Sequence, residues 1–259
     1  MAKLGMLFDL TKCAGCYSCV VSCKMENGTR PGINYNQLTK LEWGEYPNAR
    51  QRFLMTLCMK CEEPACVNVC PTGASYKTED GNVLINHEEC IGCGLCVNEC
   101  PYGQRFLVNE DITNFPGEVM PYEMESTKRL NVAEKCTFCY HRISEGRKPA
   151  CVHNCPARCR IFGDLENPES EISKYIASHN AIKIEGTSIY YVIPDDMDKN
   201  LLPLAAVQTA EPTPPAQAAS ESNPPNYAVP VGIAVAGAAA AIAAGVAVSR
   251  KKSSEGGDK

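Results

Sequence analysis

The 259-residue sequence predicts an α+β fold in which one small cysteine-rich unit is inserted into another. Three observations support this prediction. The cysteines fall into four groups of four, short strand-like and hairpin-like segments lie beside these groups, and the composition changes at residue 203, where a proline-rich stretch begins. These features predict a globular body before residue 203 and a different kind of structure after it.

The clearest cysteine group is the segment from Cys90 to Pro101, CIGCGLCVNECP. Its cysteines are separated by two, two and three residues, and a proline follows the last one. The first three place their sulfurs around one small concave space, whereas the turn and the proline carry the fourth elsewhere. Bacterial ferredoxins have this spacing, and their fourth cysteine ligates the other cluster of a pair. The segment therefore predicts 4Fe-4S binding and a second, matching segment.

Three further segments carry four cysteines each: TKCAGCYSCVVSCK, LCMKCEEPACVNVCPTGA and KCTFCYHRISEGRKPACVHNCPARC. Together the four groups use sixteen of the seventeen cysteines. The odd count, the chain length and the strain of CxxC bridges disfavour a disulfide scaffold. Zinc would more naturally use two CxxC pairs from separate segments. Four 4Fe-4S clusters are the favoured interpretation, and no ligand is replaced in a way that would indicate a three-iron cluster.

If the fourth cysteine of each group ligates the cluster of another group, the four groups must form two pairs. The two central groups then pair with each other, and the two outer groups form the second pair. The predicted ligands are Cys13, Cys16, Cys19 and Cys155 for cluster 1; Cys58, Cys61, Cys66 and Cys100 for cluster 2; Cys90, Cys93, Cys96 and Cys70 for cluster 3; and Cys136, Cys139, Cys151 and Cys23 for cluster 4. Cys159 is left over as a buried or free thiol. It is an alternative to Cys155, but Pro156 after Cys155 matches the other two Cys-Pro positions, so Cys155 is preferred.

This nesting predicts two ferredoxin-like (bis-4Fe-4S) units with loop insertions. The outer unit covers residues 1–52 and 103–165, and the inner unit covers residues 53–102. The segment LGMLFDL, residues 4–10, is a predicted strand, and YKTEDGNVLI, residues 76–85, is a predicted hairpin with its turn at Asp80 and Gly81. The insertions, residues 26–52 and 103–135, are either partner-contact surfaces or loops that cover the clusters.

Residues 166–202 form a predicted C-terminal extension. It begins with a helix that Ser170 caps and that carries Ile172, Tyr175 and Ile176 as its apolar residues, and a strand follows over residues 187–192.

The composition then changes. Residues 203–227 predict a Pro/Ala-rich tether. Residues 228–248 carry no charge, and in the basic and polar tail over residues 249–259 Ser249 is followed by Arg250, Lys251 and Lys252. This pattern predicts a C-terminal transmembrane helix, with a disordered Ala-rich tail as the alternative.

The charge pattern gives further expectations. The formal net charge is −5 and no basic run precedes Arg250, so nucleic-acid binding is not expected. Basic residues flank the cysteine groups and are candidates for raising cluster potentials by favouring the reduced form, unless they fall there by chance. They are Lys12, Lys24, Lys60, Arg105, Lys135, Arg142, Arg158 and Arg160. Aromatic residues are scarce, so cluster binding must supply much of the folding free energy, and iron removal is expected to unfold the first 165 residues.

Taken together, these motifs resemble the four-cluster iron-sulfur (beta) subunits of the dimethyl sulfoxide reductase family of molybdopterin oxidoreductases. The resemblance covers roughly residues 4–200 and is carried by the four cysteine segments, by FGDLENPES and by GTSIYY. It implies an electron-transfer subunit of an anaerobic respiratory complex, with no substrate site of its own. Such a subunit connects a molybdopterin-containing catalytic subunit to a membrane quinone-linked or other redox partner. The resemblance also implies that the outer unit lies nearer the molybdenum subunit.

The residues themselves favour the same role. The sequence has no Walker loop, no GxGxxG after a strand and no HExxH. A free-standing polyferredoxin and an enzyme with an open iron site are the alternatives.

The basic tail predicts a cytoplasmic C-terminus and a cluster-bearing body on the extracytoplasmic face of the membrane. Because MAKLGMLFDL resembles no export signal, export together with a signal-bearing partner is expected. The alternative is a body on the cytoplasmic face.

Overall fold

The computed structural model describes residues 2–115, 117–124 and 129–202. These residues belong to one compact unit, Met1–Thr209, and the second unit, Ala210–Lys259, lies outside the described residues. The predicted tether, transmembrane helix and polar tail therefore also lie outside them. Within the described ranges, no helix combines the length and apolar character needed to cross a membrane.

A four-stranded sheet joins the start of the chain to the predicted C-terminal extension. Its strands, in the order β8-β1-β10-β9, are β1 (Leu4–Asp9), β8 (Arg160–Asp164), β9 (Ile182–Lys183) and β10 (Ile189–Val192). Strand β1 pairs antiparallel with β8 and parallel with β10, so it lies inside the sheet. Met6 and Phe8 belong to the main core and Leu7 to a smaller core on the other face, as the alternation of side chains along a strand requires. The predicted strands over residues 4–10 and 187–192 are confirmed, each with slightly shorter bounds.

The smaller core lies under helix α6 (Glu171–Ser178). Ser170 is the N-cap, and its Oγ accepts a hydrogen bond from the backbone N–H of Ser173 at 3.2 Å. Ile172 is fully buried, and Tyr175 and Ile176 pack around it. The predicted capped helix is confirmed.

Three two-stranded hairpins complete the strands. They are β2 (Asn36–Trp43) with β3 (Arg50–Leu57), β4 (Ser75–Lys77) with β5 (Val83–Ile85), and β6 (Phe106–Val108) with β7 (Val132–Glu134). The β4–β5 hairpin confirms the prediction, and Gly81 provides the turn with φ +81°. The β2–β3 hairpin was not predicted and accounts for most of the first insertion. Strands β6 and β7 hold together the two ends of the second insertion.

The cysteine groups are carried by short helices and their adjoining loops. These helices are α1 (Ser18–Asn27), α2 (Ala65–Asn68), α3 (Leu95–Asn98), α4 (Tyr140–Ile143) and α5 (Ala150–His153). Helix α2 packs against α3, and α1 packs against α5. Among the residues that the structure describes, 3₁₀ turns lie at Pro121–Glu123 and Lys199–Leu201. The mixed helix and strand content agrees with the predicted α+β class.

Candidate iron-sulfur sites

The four cysteine groups share one backbone device in the loop between their first two cysteines. The residue directly before the second cysteine has a positive φ in every group: Gly15 at 68°, Lys60 at 51°, Gly92 at 65° and Phe138 at 56°. Left-handed residues next to right-handed ones turn successive N–H groups toward one concave space, which is an anion-binding arrangement found at iron-sulfur sites. At two positions a bulky residue accepts this conformation, which costs about 1–2 kcal/mol outside glycine. The repeated conformation shows that the four loops are structurally equivalent.

The third and fourth cysteines also occupy equivalent positions. Helices α1, α2, α3 and α5 each begin one residue before a third cysteine, at Cys19, Cys66, Cys96 and Cys151.

After three of the fourth cysteines the chain makes the same turn. The N–H groups of Gly73, Gly103 and Arg158 donate to the carbonyl oxygens of Cys70, Cys100 and Cys155, and all three donors have positive φ. The exception is Cys23, where lysine replaces proline. It lies inside α1, so the helix continues instead of turning.

One cavity is lined by the four cysteines predicted for cluster 3. Its walls are formed by Cys70, Cys90, Cys93 and Cys96, with Ser75 and Ala133 among the other residues that line it. Cys70 comes from a different segment than the other three, as the crossing-over of fourth cysteines requires. In the described part of the chain, no three His, Cys, Asp or Glu side chains converge closely enough to hold a single metal ion. The sulfurs here surround a volume instead of one point.

The cysteines predicted for cluster 2 also lie together, as their mutual electrostatic effects show. Burial raises the pKa of Cys61 to about 12, and Cys58, Cys66 and Cys100 contribute in the same direction. Burial likewise raises the pKa of Cys66, and Cys58 and Cys100 add to this effect. Bringing four thiols together in this way disfavours their ionisation, and bound iron would remove this penalty by neutralising the thiolates.

The cluster 4 group behaves similarly. Burial raises the pKa of Cys23 well above its ordinary value, and Cys136, Cys151 and Cys139 raise it further. Cys23 comes from α1 and the other three come from the segment around α4 and α5. The structure therefore brings this predicted set together across more than a hundred residues of sequence.

The cluster 1 group contains the leftover cysteine. The Sγ atoms of Cys155 and Cys159 are 3.4 Å apart. A hydrogen bond with Cys159 lowers the pKa of Cys13 to about 6, against the effect of burial. The same hydrogen bond, together with burial and Cys155, raises the pKa of Cys159 well above its ordinary value. Cys159 thus lies against two sulfurs of the cluster 1 group, those of Cys13 and Cys155.

Hydrogen bonds to sulfur test whether these sites suit an anionic cluster. Backbone N–H groups of Ser75, Gln104, Ala133 and Phe138 donate to Cys70, Cys100, Cys90 and Cys136, each at 3.4 Å. The side-chain amide of Asn27 donates to Cys23 at 3.5 Å. Donors aimed at sulfur stabilise thiolates and raise cluster potentials. The donor set therefore fits ligated, negatively charged sulfur.

Buried cations provide a second test. Lys60, Arg105, Lys135 and Arg160 are 1%, 3%, 2% and 3% exposed. Within the described residues, none of them forms an ion pair with a carboxylate.

Several of their polar atoms lack hydrogen-bond partners in the described structure, namely Nε and Nη2 of Arg105 and Nε and Nη1 of Arg160. An uncompensated buried charge costs several kcal/mol. All four residues lie near cysteine sulfurs, so anionic clusters would supply the missing countercharge. The sites fit 4Fe-4S clusters on this count as well.

The sequence identified these four basic residues only as part of a larger set. The structure separates them from the others, because Lys12 and Arg158 are exposed and Arg142 pairs with Glu26 at 2.7 Å. No pattern in the sequence distinguishes the four buried basic residues, because their burial depends on which distant segments of the chain pack against each other. The individual hydrogen bonds from backbone N–H groups to sulfur were also not identified from the sequence.

Comparisons with known proteins agree with this site. Residues 49–115 and 110–165 match the family described as "4Fe-4S dicluster domain", and residues 10–26 match "4Fe-4S binding domain". The fold and the site thus define a 4Fe-4S protein of the dicluster type.

Individual relatives narrow this class. The B subunit of selenate reductase from Mesobacillus selenatarsenatis is 40% identical over 72% of this chain and 70% of its own length. ArrB, the iron-sulfur component of the arsenate respiratory reductase of Shewanella sp. strain ANA-3, is 35% identical over 73% of this chain and 96% of its own length. The B subunit of tetrathionate reductase from Salmonella typhimurium is 38% identical over 75% and 74%, respectively.

The chain therefore belongs to the family of iron-sulfur B subunits of dimethyl sulfoxide reductase-family molybdoenzymes. Its role is electron transfer within a respiratory oxidoreductase, and catalysis falls to a different subunit. The resemblance found in the sequence, and the function that it implied, are confirmed.

Proposed function

We propose that this chain carries four 4Fe-4S clusters on sixteen cysteines and passes electrons between a molybdopterin-containing catalytic subunit and a membrane quinone-linked or other redox partner. The ligand sets are those predicted from the sequence: Cys13, Cys16, Cys19 and Cys155; Cys58, Cys61, Cys66 and Cys100; Cys90, Cys93, Cys96 and Cys70; Cys136, Cys139, Cys151 and Cys23. The observation that carries this proposal is the fourfold repetition of the left-handed residue before each second cysteine. It supports four equivalent binding loops.

Bound 4Fe-4S clusters supply one-electron chemistry, in which an electron is accepted or released without the exchange of an atom. The chain's own residues hold the ligand sulfurs, bury six of the sixteen cysteines and direct N–H donors at several of the sulfurs. Cys16 and Cys93 are the exposed members of the sixteen. Their two loops are candidate places for electrons to enter or leave the protein.

Support for the catalytic partner comes from the relatives, which are named as B subunits of reductases for selenate and tetrathionate and as the iron-sulfur component of a reductase for arsenate. Because these substrates differ while the iron-sulfur subunits remain similar, we assign substrate choice to the partner. No substrate is assigned to the complex.

The test is anaerobic purification of the native complex from its source membranes. We expect a large subunit that contains molybdenum and pterin, together with iron and labile sulfide equivalent to four cubanes in this chain after the partner's own clusters are subtracted. A stable monomer without any large subunit would instead identify a free-standing polyferredoxin. Zinc in place of iron, or iron for fewer than four cubanes, would refute the ligand assignment.

We further propose that residues 228–248 anchor the chain in the membrane with its body on the extracytoplasmic face. The uncharged run and the three basic residues that follow it support this orientation. The test is protease treatment of intact and of permeabilised spheroplasts, with immunodetection of the body and of a known cytoplasmic protein as the control. Degradation of the body in intact spheroplasts, while the control stays protected, supports the proposal. Protection of both proteins until the membrane is opened places the body in the cytoplasm.

A further inference from the structure

The junction between the inner and outer units contains two buried lysines that reach across it in opposite directions. Lys60, between the cluster 2 ligands Cys58 and Cys61, donates from Nζ to the carbonyl oxygen of Cys136 at 2.7 Å. Lys135 precedes Cys136 and donates from Nζ to that same oxygen at 2.8 Å. It also donates to the carbonyl oxygen of Val83 in the inner unit. The two Nζ atoms therefore lie between the ligands of cluster 2 and cluster 4. Burial lowers the pKa of Lys135 to about 7 and Lys60 lowers it further, whereas Cys58 and Cys136 raise it, so Lys60 is the member of the pair that the charge-removal test addresses.

A buried arginine occupies the corresponding place within the inner unit. Arg105 follows the cluster 2 ligand Cys100, and its Nη1 donates to Oγ of Ser75 at 2.7 Å. Ser75 in turn donates its backbone N–H to the cluster 3 ligand Cys70 at 3.4 Å. Burial lowers the pKa of Arg105, but the sulfurs of Cys66 and Cys96, which belong to different clusters, outweigh this effect and raise it. Arg105 thus lies between clusters 2 and 3.

The outer unit has a third such residue. Arg160 follows Cys159, whose sulfur contacts Cys155 of cluster 1. Burial lowers the pKa of Arg160, but Cys151 of cluster 4 and Cys19 of cluster 1 outweigh this effect and raise it. The guanidinium lies 4.9 Å from the centre of the Phe8 ring and donates to Asn36 at 2.8 Å, which leaves Nε and Nη1 without a hydrogen-bond partner among the described residues.

Each junction in the series cluster 1, cluster 4, cluster 2, cluster 3 therefore holds a buried positive charge that no carboxylate of the described residues neutralises. Adjacent clusters with their thiolates are all anionic and repel each other. A positive charge buried between two of them acts through a low-dielectric medium, where it favours the more negative, reduced state of both neighbours. A solvent-exposed lysine that is equally close to a ligand cysteine in the sequence is screened by water and salt, so it has much less effect on the cluster potentials.

We propose that Arg160, the Lys60–Lys135 pair and Arg105 are electrostatic bridges, each of which raises the midpoint potentials of the two clusters that flank it. This inference rests on the proposed function, because it requires the four ligand sets given above. In this role the side chains are positioning residues, because they place positive charge between neighbouring clusters. The inference also predicts which two midpoint potentials change with each substitution.

The experiment is a redox titration of the anaerobically purified complex, followed by low-temperature electron paramagnetic resonance. Lys60→Gln, Arg105→Gln and Arg160→Gln remove a charge but keep hydrogen-bonding capacity. We expect each to lower two potentials and leave the other two unchanged. The expected loss is about tenfold in the equilibrium constant for reduction, which is about 59 mV for a one-electron couple. Lys60→Gln and Arg105→Gln should share one affected cluster, whereas Arg105→Gln and Arg160→Gln should share none.

Lys12→Gln is the matched control, because Lys12 directly precedes the ligand Cys13 but its side chain is 47% exposed. It should leave all four potentials unchanged. Equal shifts in Lys12→Gln and Lys60→Gln, or a fully loaded Lys60→Gln complex with unshifted potentials, would overturn the inference.

If a substitution to glutamine prevents cluster loading, charge-conserving variants still test the inference. Lys60→Arg and Arg160→Lys should load all clusters and keep their potentials near those of the wild type. Shifts in these variants as large as in the glutamine variants would show that shape, not charge, is responsible, and would also overturn the inference. Fewer than four clusters in the wild-type complex would instead refute the proposed function, so the two failures are distinguishable.

Discussion

The sulfur atoms of Cys155 and Cys159 lie 3.4 Å apart, although only one of them is assigned to a cluster. Cys155 occupies the Cys-Pro turn that Cys70 and Cys100 also occupy, whereas Cys159 lies beyond this turn, directly before strand β8. We therefore expect Cys159→Ala to leave the iron and labile-sulfide content of the purified complex unchanged. Cys155→Ala should lower it by at least one iron per chain, because a cubane loses its fourth ligand. Elemental analysis of both variants decides the assignment, and the reverse pattern would exchange the roles of the two cysteines.

A second prediction concerns the loop that carries the first cysteines of cluster 3. Gly92 has φ +65°, and a Cβ atom there would overlap the carbonyl oxygen of Asn131. Gly94 in the same loop has φ +74° but open space around it, with Leu107 at 3.9 Å. Gly94→Ala should cost only the left-handed conformation, about 1–2 kcal/mol. Gly92→Ala should cost more and lose iron from cluster 3.

Comparing these two variants isolates the effect of the short distance to Asn131, because Gly92 and Gly94 have the same left-handed backbone conformation. Thermal unfolding of the iron-loaded protein, followed by circular dichroism, measures the stabilities, and iron analysis measures cluster loading. Equal losses in the two variants would mean that the loop moves away from Asn131 at little cost.

Much of the fold is visible in the sequence because its signals are local. The Ser170 cap, the Asp80–Gly81 turn and the strand at Leu4–Asp9 each depend on a few adjacent residues, and the structure contains all three. The β2–β3 hairpin was missed because β2 and the first half of β3 are largely polar, and the buried residues Leu54 and Met55 are adjacent in β3, so neither strand shows the alternation that marks a strand with one buried face.

For the candidate site, the sequence predicts a complete set of ligands but not their electrostatic surroundings. Cysteine spacing is a covalent property of the chain and can be read directly. That Lys60 is buried and Lys12 exposed depends on the meeting of residues 60, 82 and 136, which lie far apart in sequence. The same holds for Cys159, whose contact with Cys13 spans most of the globular body.

A third prediction concerns pH. Asp9 is buried, and burial raises its pKa, but hydrogen bonds from Thr11 and Tyr175 outweigh this effect and lower it below the ordinary value. A carboxyl with a lowered folded pKa stabilises the protein above its unfolded pKa of about 3.9, and this contribution is lost as pH falls through the folded value. Asp9→Asn should therefore destabilise the protein by about 1–3 kcal/mol near pH 7. The difference from the wild type should stay constant down to about pH 5 and shrink below about pH 4.

Urea unfolding of both proteins, over the part of this range in which iron analysis shows that the clusters are retained, measures the difference. Asp195→Asn is the control, because Asp195 is exposed. A difference that grows as pH falls would contradict the assigned direction of the Asp9 shift.

The last prediction concerns removal of the clusters. Lys60, Lys135, Arg105 and Arg160 are at most 3% exposed, and the described residues give them no carboxylate partner. Burial lowers the pKa of Lys135 to about 7, so this lysine can lose its proton in the iron-free chain. At several kcal/mol for each uncompensated buried charge, the other three together rival the net stability of about 5–15 kcal/mol that a folded domain commonly has. Chelation of iron from the full-length chain should therefore abolish its far-ultraviolet circular dichroism signal and expose the body to protease. Reconstitution with iron and sulfide should restore both. An iron-free chain that keeps its dichroism and its resistance to protease would show that the buried cations are neutralised by something other than the clusters.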